Sequence, residues 1–128
     1  MAFYYRALGF RPGYGWTVAR APDFDAPGRV ELINAGDGNY IELFPAGPEA
    51  PAGLLWHIAL RFRDTALAYR RAIDNGARPY SFKLAGGGVW TGEPTVFMQN
   101  GEPPNRVVLA FIRGPDGEVI EMVQNRRL

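Results

Sequence analysis

One hexapeptide occurs twice in variant form, as Asp37-Gly38-Asn39-Tyr40-Ile41-Glu42 and as Asp116-Gly117-Glu118-Val119-Ile120-Glu121, each after an apolar run. A recurring stretch dictates a recurring supersecondary structure, so the chain reads as two similar units. The repeat extends upstream. Tyr5-Arg6-Ala7-Leu8 before Gly9-Phe10-Arg11-Pro12 parallels Arg70-Arg71-Ala72-Ile73 before Gly76-Ala77-Arg78-Pro79. Arg6 and Arg71 lie 65 positions apart and Glu42 and Glu121 lie 79 apart, so the second unit carries the difference, 14 residues, between its helix and its hexapeptide. These are expected around Gly86-Gly87-Gly88-Val89-Trp90, as an enlarged loop.

Both hexapeptides end on a carboxylate at the same point of a strand. Two similar halves brought face to face aim Glu42 and Glu121 into one shared site, which makes them the first functional candidates. The rest of the composition narrows the chemistry around them. The 128 residues suit one domain, or two small repeats over a common core, able to bury roughly two thirds of the unfolded surface. With 47% hydrophobic and 21% charged residues and a net charge of +1, this is an ordinary globular composition. Basic residues are scattered apart from Arg70-Arg71 and Arg126-Arg127, so no stripe follows a phosphate backbone and no nucleic-acid partner is expected. Zero cysteines exclude a disulfide framework, a thiolate zinc site and a cysteine nucleophile. No membrane-length apolar run or secretory leader is read, so the expected location is cytoplasmic, away from membranes.

The clearest helix is predicted from Thr65 to Asn75, with Asp64 as N-cap, Gly76 as the stop, and Ala66, Tyr69, Ala72 and Ile73 on one apolar face. A shorter helix is predicted over Ala2 to Leu8. Strands are predicted at Tyr14–Val18, Arg29–Asn34, Asn39–Phe44, Leu54–Phe62, Thr95–Gln99, Val107–Arg113 and Glu118–Gln124. Pro45 to Gly53 is too rich in proline for either element and reads as the connection between units.

Side chains alternate along a strand, so Leu55, His57, Ala59 and Arg61 share one face while Trp56, Ile58, Leu60 and Phe62 share the other. The second face is wholly apolar and is expected against the helices. His57 therefore belongs to the inner face with Glu42 and Glu121, and one imidazole with two carboxylates suits a divalent first-row metal. The alternative for His57 is a hydrogen-bonded histidine in a polar cleft, and for the glutamates a solvent-facing position. The lining that follows is Tyr40 and Phe44 beside Glu42, Leu55, Ala59 and Arg61 beside His57, and Val119 and Val123 beside Glu121. Arg61 has two readings, a bidentate anchor for a substrate carboxylate or phosphate and a strand-end surface charge. Trp90 also has two, a lid aromatic over a ligand and an anchored loop residue.

The strand-helix-three-strand order, Phe3-Tyr4-Tyr5-Arg6-Ala7-Leu8-Gly9-Phe10 near the start and Gly114-Pro115-Asp116-Gly117-x-x-Ile120-Glu121 near the end resemble the vicinal oxygen chelate superfamily. This group contains the glyoxalases, bleomycin-resistance proteins and extradiol dioxygenases. The resemblance implies an α+β fold of two tandem βαβββ modules forming a cup-shaped mixed sheet with helices outside. Residues 1–45 are then the first module, 46–53 the linker and 54–128 the second module, together one glyoxalase-like domain. It implies Glu42, His57 and Glu121 as ligands of a divalent Zn, Ni, Fe, Co or Mn ion, with Glu121 or Glu42 as the catalytic base. Tyr40, Phe44, Leu55, Arg61 and Trp90 are the substrate-binding candidates.

The departure from the family is a missing leading strand in the first module, which in the family brings a fourth ligand, often His. A shortened start, a three-ligand site completed by water, and a partner subunit filling the gap each account for it, and the shortened start is preferred. A homodimer is expected, as is common in the family. The implied function is a metal-dependent lyase, isomerase or dioxygenase acting on a small oxygenated or carbonyl-bearing molecule. The alternative is a metal-free binding protein of the drug-sequestering kind, with Trp16, Tyr14, Tyr40, Phe44 and Trp90 as its aromatic lining.

Overall fold

The computed structural model describes residues 2–18, 28–45, 55–84 and 87–126. The fold is α+β and dominated by strands, with two helices among these residues. Helix α1 (Ala2–Ala7) leads into β1 (Arg11–Val18), β2 (Gly28–Gly36) and β3 (Asn39–Leu43), which form an antiparallel sheet in that order. The Asp37-Gly38 pair makes the β2–β3 turn with both residues at positive φ, 51° and 75°. That is the handedness a two-residue hairpin requires to match strand twist.

The second half begins with β4 (Ile58–Arg61) and α2 (Thr65–Asp74), followed by β5 (Arg78–Pro79), β6 (Phe82–Leu84), β7 (Gly88–Trp90), β8 (Thr95–Gln99), β9 (Asn105–Arg113) and β10 (Val119–Asn125). Its main sheet is mixed. β4 runs parallel to β10, β10 is antiparallel to β9, and both β5 and β8 pair with the other side of β9. None of the sheets closes into a barrel among the described residues.

Helix α2 starts where its cap dictates, with Asp64 Oδ1 accepting from Leu67 N at 2.9 Å, and stops at Gly76, whose φ of 97° ends helical geometry. Its face delivers Tyr69 onto Ala110, Ile112 and Met122, with Phe62, Ala72, Ile73 and Ile120 packed around them. This core covers one face of β9 and β10, and Leu109, Glu121 and Val123 on the other face line the cavity.

Two expectations are corrected here. The strand expected over Leu54–Phe62 is only Ile58–Arg61 in the ladder, because parallel pairing with β10 begins at Ile120 opposite Ile58. Of its apolar outer face, Phe62 joins the helix-covered core, while Ile58 and Leu60 remain 52% and 44% exposed. β4 is an edge strand, and α2 packs over β9 and β10 instead. The glycine-rich insertion is more than a loop: β6 and β7 pair across it as a small antiparallel hairpin. Most of the predicted linker, residues 46–53, lies outside the described residues.

A polar seam joins β1 to the loop between β8 and β9. Thr17 N donates to Asn100 Oδ1 at 2.9 Å and Asn100 Nδ2 donates to Thr17 Oγ1 at 2.7 Å. Tyr14 Oη donates to Pro103 O at 3.2 Å. Gly101 is buried beneath the Tyr14 ring, where any Cβ would strike that ring and Gly15 O.

Candidate metal centre

Two strands and the segment leading into a third deliver the candidate ligands. Glu42 sits on β3 opposite Leu32 of β2, and Glu121 sits on β10 opposite Phe111 of β9. Each follows its Asp-Gly turn at the same interval, as the repeat requires. His57 lies just ahead of β4, two residues before Ala59, which is the parallel neighbour of Glu121. Strand alternation therefore places His57 and Glu121 on one face.

The ligand atoms of Glu42, His57 and Glu121 all lie within 4.8 Å of one another. His57 Nε2 is 3.2 Å from Glu121 Oε2, a hydrogen bond, and 3.7 Å from Glu42 Oε2, an ion-pair contact beyond hydrogen-bond reach. The His57 side chain is 7% exposed. Aromatic rings hold it from behind: Trp56 edge-on at 4.5 Å between centroids, Phe111 at 5.4 Å and Phe44 at 6.2 Å. Its Nδ1 is buried without a hydrogen-bond partner, so the polar contacts of the ring all run through Nε2.

Burial raises the Glu42 carboxyl to about 7, with the nearby Glu121 charge acting in the same direction and His57 acting against both. Burial also disfavours the charged imidazole of His57, but the hydrogen bond to Glu121 and the attraction of both carboxylates outweigh it and raise the group to about 9. With both carboxylates ionised, a single imidazolium between them leaves one negative charge uncompensated. Two carboxylate oxygens and one imidazole nitrogen make a donor set that fits a divalent first-row cation, which would supply that compensation.

The centre opens into a cavity of about 1000 Å³ between the two sheets. Tyr40, Phe44, Leu55 and Arg61 all line it, as the sequence reading expected. Leu55 is 80% exposed and sits at the rim. Arg61 is exposed, with its guanidinium beside Gly38 across the opening. Ala59 and Val123 also line the cavity.

Trp90 is placed elsewhere. It is 8% exposed, packs on Phe82, Phe97 and Phe111, and donates from Nε1 to Thr95 Oγ1 and Glu93 O. It belongs to the aromatic cluster supporting Phe111. Trp16, expected in the aromatic lining of the metal-free alternative, also lines the cavity, whereas sequence reasoning missed Gln99, Leu109 and Asn125. Asn125 was within reach of strand alternation, since it follows Glu121 and Val123 on one face of β10. Gln99 had no such signal, because its position depends on the β8–β9 register. No protein-family profile and no curated protein sequence matches the chain.

Proposed function

We propose that the protein is a glyoxalase-like metal-dependent enzyme acting on an oxygenated or carbonyl-bearing molecule, with its two halves as copies of one βαβββ module. The observation that carries this reading is the convergence of Glu42, His57 and Glu121 from both halves within 4.8 Å at the end of a large cavity. Glu42, His57 and Glu121 would hold a divalent ion, which would supply Lewis acidity to the bound substrate. His57 and Glu121, hydrogen-bonded and braced by aromatic rings, form the fixed side of the centre. Glu42, the carboxylate standing off at 3.7 Å, is the group with freedom to take a proton from substrate and return it. Arg61 at the mouth holds an anionic substituent of the substrate.

The test is metal content. Purified from divalent-metal-supplemented medium, the wild type is expected to carry about one equivalent of a first-row metal per chain, and His57→Ala is expected to lose most of it. A folded, metal-free wild type with no affinity for added Zn²⁺ or Mn²⁺ sinks the proposal. That outcome favours the second reading, a metal-free binding protein, for which Trp16, Tyr40 and Phe44 already stand in the cavity wall. A homodimer is part of the proposal, because β3 and β4 are sheet edges whose unpaired backbone groups favour being covered.

A further inference from the structure

The end of the cavity remote from the carboxylates is built from carboxamides. Gln99 closes β8, Asn105 opens β9 and Asn125 closes β10. Asn105 is 4% exposed, and its Nδ2 donates to Gln99 Oε1 at 2.8 Å and to Asn125 Oδ1 at 3.2 Å. A carboxamide whose oxygen is held this way turns its nitrogen to the opposite side. The Gln99 nitrogen has no other partner among the described residues, and Gln99 lines the cavity. Polar groups in a wall that otherwise continues as Val123 and Leu109 cost burial free energy, which a wall needed only for packing would avoid.

We propose that Gln99 is a hydrogen-bond donor to the far end of the ligand, held in orientation by Asn105 and Asn125 as positioning residues. The ligand is then an elongated, two-ended molecule. Its oxygen-bearing head lies among Glu42, His57 and Glu121, its apolar body lies over Val123 and Leu109, and its tail ends in a carbonyl, carboxamide or carboxylate oxygen. Glu121 and Asn125 are four residues apart on one face of β10, a span of about 13 Å at roughly 3.3 Å per residue. A ligand of only a few carbon atoms does not bridge it. This assignment rests on the metal-centre reading for the head group alone.

The experiment titrates Zn²⁺-loaded protein calorimetrically with three hydroxamates: acetohydroxamate, a long-chain alkyl hydroxamate, and the same chain ending in a carboxamide, over a series of chain lengths. All three are expected to bind. At the matching length the carboxamide tip is expected to bind about five- to tenfold more tightly than the plain chain, the gain of one hydrogen bond. Gln99→Leu is expected to abolish that difference. Gln99→Glu, which replaces the donor by an acceptor, is expected to transfer the preference to an ammonium-tipped chain, an inversion that a purely structural role does not produce. Acetohydroxamate binding without any tip preference, or a preference that survives Gln99→Leu, overturns the role of Gln99 and leaves the metal centre standing. Failure of acetohydroxamate to bind overturns the metal centre and this assignment with it. Where Gln99→Leu fails to fold, the inversion by Gln99→Glu reads the same assignment, and a wild type without tip preference overturns it by itself.

Discussion

His57 is surrounded on two sides by different physics. Its carbon edge is packed among Trp56, Phe111 and Phe44, and its Nε2 faces two carboxylates. The rings limit where the imidazole can go, while the carboxylates set its charge. The pH dependence of the metal-free protein follows from both shifts. His57 is raised from 6.5 to about 9, so its contribution to stability is complete below about 6.5 and is lost as pH rises through 9. Glu42 is raised from 4.5 to about 7, so it too binds its proton more tightly when folded, and its contribution fades between those values. The two act in the same direction. With metal chelated away, the melting temperature is expected to fall as pH rises from about 5 to 9, and Glu42→Gln is expected to flatten the lower part of that fall. Thermal unfolding followed by circular dichroism reads both, and a melting temperature that climbs through this window refutes the assignment.

At the scale of elements, the second half is held by one helix and one sheet. Asp64 caps α2 through the Leu67 amide, and removing that acceptor leaves an orphan N–H at the helix start. Asp64→Ala is expected to cost about 1 kcal/mol in urea unfolding, with the metal content unchanged. The element carrying Phe111 is fixed more rigidly. Gly92 O accepts from Phe111 N at 2.8 Å, and Gly92 has a φ of 78°, with Phe111 O only 2.6 Å from where a Cβ would stand. Only glycine fits this approach without strain. Through it the loop after β7 braces β9 at Phe111, the ring that packs on His57 and stands opposite Glu121.

For the whole molecule, the cavity lies between two sheets joined by a polar seam at β1 and by the Phe44–Trp56 and Glu42–His57 contacts. Gly101 permits the Tyr14 ring to lie against the loop between β8 and β9, beside the reciprocal Thr17–Asn100 pair. Gly101→Ala is expected to destabilise the protein by about 2 kcal/mol, an overpacking cost, because the new methyl meets both the ring and the rigid Gly15 carbonyl. Tyr14→Phe, which keeps the ring and loses the hydroxyl's bonds to Pro103 O and Gln99 O, is expected to cost less than Gly101→Ala. Equal effects in chemical denaturation would show that the seam is not held by ring packing.

Local rules were enough for much of this architecture. The N-cap and glycine stop of α2, the tight turn at Asp37-Gly38, the strand at Thr95–Gln99 and the shared face of His57 and Ala59 each depend on residues close in sequence, so a single sequence carries them. The repeated hexapeptide likewise placed Glu42 and Glu121 at equivalent strand positions before any contact was known. Other features are long-range. The exposure of Ile58 and Leu60, the withdrawal of Trp90 into the core and the carboxamide end of the cavity depend on which edges meet and in what register. Periodicity states which way a side chain faces relative to its own strand. What stands on that side is decided only by tertiary packing, because burial and hydrogen-bond partners come from segments distant along the chain.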